Sequence, residues 1–172
     1  MFAFVYQRFL TSAIDFVNAG RRGSALASAH ETAPARMADS YRAAAPGMTK
    51  ILDDLDVTTA RRPQRNVVVI DPETGDSLAS LRLHLLLEAA RGSAIAAHLH
   101  FPEQTLTPTE QLITETAVGL AAQQVDPALE AAFAVVRKGS VLIIGDDAFA
   151  PHRIDMLRET SEDYQREWES LG

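Results

Sequence analysis

The chain has 172 residues, 47% of them hydrophobic, with a net charge of −7 and no cysteine. This length and composition suit one globular unit with a core of its own, and the missing thiols exclude disulfides, thiolate metal sites and cysteine nucleophiles. The acidic balance opposes nucleic-acid binding, and no apolar run approaches the roughly 18 residues that a membrane span needs.

The N-terminal stretch is apolar without the basic start of a secretory leader, which predicts a cytoplasmic protein. Charge is distributed unevenly. Residues 1–65 hold nine Lys and Arg against six Asp and Glu, while residues 66–172 hold seven against seventeen. Such a dipole is ordinarily solvated surface, and it also suits contact between copies of the chain.

Phe2 to Asn18 reads as a helix, with Phe2, Val5, Phe9, Ala13 and Phe16 on one stripe and Gly20 as its stop. This aromatic-rich face needs burial against the sheet or a second copy. A helix over residues 34–45, closed by Pro46-Gly47, and a short one over 48–55 complete an N-terminal helical segment, residues 1–56. Residues 57–65, with Arg61-Arg62-Pro63, read as a linker to an α+β unit over residues 66–172.

That unit opens with three strands, over 66–71, 77–88 and 93–101. Asp71-Pro72-Glu73-Thr74-Gly75-Asp76 is a hairpin turn, because Pro presets φ and Gly accepts a positive one. The next strand alternates, with Leu81, Leu83, Leu85 and Leu87 on one side and Arg82, His84, Leu86 and Glu88 on the other. A loop over residues 90–92 sets residue 89 opposite residue 93. His84 then faces His98, and Arg82 faces His100.

Thr107-Pro108-Thr109-Glu110 forms a capping box with Pro at the first helical position, and the helix runs to about Val125. Asp126-Pro127 predicts a second helix to Lys138. Its Ala128, Ala131, Ala132 and Ala134 offer nothing to read base edges, so a helix-turn-helix reader is excluded. Val141 to Ile144 reads as a buried, central strand over 140–145. A final helix from Pro151 carries a seam of Ile154, Leu157, Tyr164, Trp168 and Leu171. The expected fold is α+β, a mainly antiparallel four-stranded sheet with helices on one face.

Nucleotide-binding loops, a nucleophile elbow and an H-E-x-x-H zinc motif are all missing. The best constellation is His84, His98, His100 and Arg82. His-x-His on a strand aims both rings the same way, about 7 Å apart. With Arg82 the set forms a pocket for a small acidic ligand. As a metal site, His84, His98 and His100 would hold a divalent transition metal with an open position, helped by Asp146, Asp147 or His152. More often Asp146-Asp147 is a turn and helix cap.

The sequence therefore predicts a non-enzymatic binding or interaction module, homodimeric, without a cofactor, taking a small ligand or a protein. Its expected interface residues are Phe2, Phe9, Phe16, Tyr164 and Trp168. The alternative is a small metal-dependent hydrolase or lyase.

Overall fold

The computed structural model describes the backbone of residues 5–170 and side chains as far as residue 167. Four helices and seven strands follow one another: α1 (Gln7–Asn18), α2 (Ala38–Asp54), β1 (Val57–Arg61), β2 (Val67–Ile70), β3 (Ser77–Leu81), β4 (Leu85–Ala89), β5 (Ala94–His100), α3 (Pro108–Val125), β6 (Glu130–Val135), β7 (Ser140–Ile143) and α4 (Pro151–Ser170).

The fold is α+β, but its sheet is not the four-stranded, mainly antiparallel one expected. β1, β4, β5, β6 and β7 form a mixed five-stranded sheet in that order, and β2 and β3 form a separate hairpin. β5 and β6 run parallel, joined by the α3 crossover; the other neighbours are antiparallel.

Helices cover both faces rather than one. On one face α1 and α2 bury Phe9, Val17, Tyr41, Met48 and Leu52 against Leu85, Leu87, Ile95, Ala97 and Leu99. On the other, α3, α4 and the hairpin bury Val69, Val118, Ala121 and Leu157 against Leu86 and Ala96. Sandwiched this way, the central strands tolerate an apolar residue at every position, as at Leu85-Leu86-Leu87.

The local signals hold where local chemistry decides. The Thr107 hydroxyl accepts from the Glu110 N–H at 3.2 Å, and the Glu110 carboxylate accepts from the Thr107 N–H at 2.7 Å. The turn forms around Asp71, whose Oδ1 accepts from the N–H groups of Glu73 and Thr74. Its Oδ2 accepts from Arg158 at 2.7 Å, and this partner holds the buried carboxyl down to about 2. The expected register of β4 and β5 is present from Leu85, opposite Ala97, to Glu88, opposite Ala94, but it stops short of the break at 82–84, so Arg82 is not paired opposite His100 as expected.

Six elements differ from expectation. The N-terminal helix begins at Gln7, and Phe2 lies outside the described residues. α2 is one helix containing Pro46, not two. The presumed linker opens with strand β1. The 77–88 strand breaks at residues 82–84, leaving one sheet for the other. Residues 130–135 are strand, not helix, because the alanine-rich segment pairs along β5 from Ile95 to His100. The 140–145 strand is an edge, not central, with Leu142 45% and Ile143 37% exposed. Along the C-terminal seam Ile154 and Leu157 are buried, whereas Tyr164 is 66% exposed.

Candidate functional site

The break between β3 and β4 is where the histidines act. The His84 N–H donates to the Ala97 carbonyl at 2.8 Å, one residue before β4 pairs with β5 from Leu85. The His84 Nδ1 accepts from the Leu99 N–H at 3.0 Å. The His98 Nδ1 donates to the Arg82 carbonyl at 2.8 Å. Both rings thus clamp the displaced chain to β5. A backbone N–H only donates, so the neutral His84 carries its proton on Nε2 and His98 on Nδ1.

The two rings meet as the register predicted, with centroids 4.8 Å apart. His98 also stacks on Phe133 of β6. His100 sits tilted beside the same ring and bonds the Gln104 carbonyl through Nε2 at 3.0 Å. Burial, then His98 and Arg82, push His84 down to about 3. Burial also lowers His98, opposed by its bond to the Arg82 carbonyl. Both are uncharged at neutral pH, so they add no cationic pull on an anion. Among the described residues no group of three His, Asp or Glu is arranged to hold a metal ion.

The other expected residues are dispersed. Asp147 pairs with Arg153 at 3.1 Å, Asp146 is exposed, and His152 is exposed at the start of α4. Arg153 is buried and also bonds Glu115 at 3.0 Å and the Leu112 carbonyl, which fixes α4 on α3. Phe9 is fully buried among Tyr6, Tyr41 and Phe101, and Phe16 packs partly buried on the same core. Both face inward within the chain. The Trp168 side chain lies outside the described residues.

A cleft that the sequence did not reveal lies between the hairpin and the end of α3, with a volume of about 630 Å³. Val67, Val68, Ile70, Leu83, Leu86 and Val125 supply its apolar wall, and Arg61 and Arg65 its charges; no carboxylate lines it. Neither arginine has an ion-pair partner among the described residues, although the chain is strongly acidic. Its signal in the sequence was the arginine-rich run read as linker.

No family model, curated protein or solved structure matches the chain. Among the described residues, no helix is long and apolar enough to cross a membrane.

Proposed function

We propose that this protein is a binding module without catalytic chemistry, and that it takes a small ligand with an apolar body and an acidic group in the cleft beside Arg61 and Arg65. The observation that carries this reading is the pairing of an apolar wall with two arginines that have no carboxylate partner among the described residues. The volume lies within the range of small-molecule sites. An arginine beside an apolar floor suits a carboxylate or sulfonate, which it can meet with two parallel N–H bonds. The histidine cluster serves as scaffold in this reading: its Nδ1 atoms hold backbone, and the break it stabilises places Leu83 in the cleft wall.

The test is calorimetric titration with decanoate, with decan-1-ol as the uncharged control. Decanoate is expected to saturate one site, and decan-1-ol to bind more weakly. Arg61→Ala/Arg65→Ala should weaken decanoate about tenfold or more, since a charge-assisted bond contributes about 1.5–3 kcal/mol. Absence of saturable decanoate binding, or affinity unchanged in the double variant, would overturn the reading.

A further inference from the structure

Strand edges show which surfaces the molecule keeps closed. β1, one edge of the large sheet, is capped by Asn18. The Asn18 Nδ2 donates to the Ala60 carbonyl and its Oδ1 accepts from the Ala60 N–H, both at 3.0 Å. β1 also has a register shift at Val57–Thr59 and ends in Arg61. In the hairpin, the Gln124 amide closes the β2 edge the same way once its oxygen and nitrogen are assigned from their hydrogen-bond partners: it donates to the Val68 carbonyl at 2.9 Å and accepts from the Ile70 N–H at 2.8 Å. β3 looks into a groove walled by Ile113 of α3 and by Leu157 and Tyr164 of α4. Amide plugs, bulges and charges are how sheets avoid pairing with other chains.

Among the described residues, β7 has none of these devices. Its sequence is Ser140-Val141-Leu142-Ile143, without a charge, and Leu142 and Ile143 are exposed. The direction of its backbone groups follows from one bond. The Ile144 N–H donates to the Ala131 carbonyl at 2.8 Å, in the register that pairs Phe133 with Leu142. Hydrogen-bonded pairs alternate along an antiparallel ladder, so Ser140 and Leu142 bond inward to β6. Val141 and Ile143 then turn their N–H and C=O groups outward.

We infer that β7 pairs with β7 of a second copy of this chain, antiparallel about a two-fold axis at Leu142. Only registers that match outward groups with outward groups can bond. Centring on Leu142 sets Val141 opposite the other chain's Ile143, so each exchanges N–H···O bonds with the other. Leu142 meets its own copy on the axis, in the non-hydrogen-bonded position where side chains approach closely.

Charge selects the same arrangement. Lys138 and Asp146 are exposed on opposite flanks of β7 and have no ion-pair partner among the described residues. The antiparallel register brings each lysine to the other chain's aspartate; a parallel one would set like against like. The two-fold closes on itself, so the apolar edge is consumed and does not propagate. The small contact fits a dissociation constant on the order of 1–100 μM.

Sedimentation of the whole chain across that concentration range tests the pairing. Wild type should pass from monomer to dimer. Leu142→Lys places two ammonium groups on the axis, and Ile143→Pro removes only an outward donor. Both should be monomeric with unchanged circular dichroism. Lys138→Glu should weaken the dimer roughly tenfold, and adding Asp146→Lys should restore it. A wild type that remains monomeric throughout would overturn the inference, as would a dimer that persists in both Leu142→Lys and Ile143→Pro.

Discussion

Protonating His84 would turn its Nδ1 from an acceptor into a donor facing the Leu99 N–H, so the bond that holds the strand break cannot survive the charge. The unfolded chain takes that proton near the ordinary 6.5, the folded one only near about 3. More protons on the unfolded state mean that stability is full above pH 6.5 and falls as the pH drops toward 3. His98, also lowered by burial, adds in the same direction. Urea unfolding at a series of pH values should show this decline, on the order of a few kcal/mol. In His84→Gln, whose side-chain oxygen still accepts from Leu99, the slope should be visibly shallower. An unchanged slope would mean that other groups carry the acid sensitivity. The arginines of the cleft belong to this scale too: each is a separate charge, and their removal is expected to affect decanoate far more than decan-1-ol.

Among the elements, α2 meets the β6–β7 connection at a point where only glycine fits. A Cβ at Gly47 would lie 1.8 Å from the Val136 carbonyl oxygen, with the backbone of Gly139 also close. Gly47→Ala is therefore expected to cost about 3 kcal/mol or more, read as a lowered urea midpoint, although alanine is the better helix former. Pairing Gly47 with Pro46 suggested a helix end, yet α2 continues through both because its apolar face is held by the sheet. The same contrast separates what was legible from what was not. Pro72 and Gly75, Thr107 and Glu110, and the β4–β5 loop act within a few residues, and their outcomes could be read in order. Residues 130–135 are alanine-rich, and their strand exists only because β5, more than thirty residues away, offers an edge. The break at 82–84 moves Leu81 and Leu83 to the face of Leu86, away from Leu85 and Leu87, although the four leucines alternate without interruption in the sequence, so periodicity could not show it. The meeting of His84 and His98 was a matter of register and was readable. The cleft was not, since its walls come from residues 61–70, 83–86 and 124–125.

Across the described residues, the large sheet forms a middle layer with one edge plugged by Asn18 and no such plug on the other. The self-pairing inferred for β7 is a prediction at this scale, because it depends on what every other edge does. The plug at Asn18 is an amide, and amides age: hydrolysis to a carboxylate exchanges the donor that faces the Ala60 carbonyl for a repelling oxygen. Asn18→Asp reproduces that change. Combined with Leu142→Lys, which silences the β7 edge, it is expected to raise the mass seen by light scattering at neutral pH, through the newly opened edge of β1. No increase over Leu142→Lys alone would show that the bulge and Arg61 guard this edge without help. Where the mass does rise, the shelf life of the purified protein is set by the slow chemistry of one surface asparagine rather than by the strength of its core.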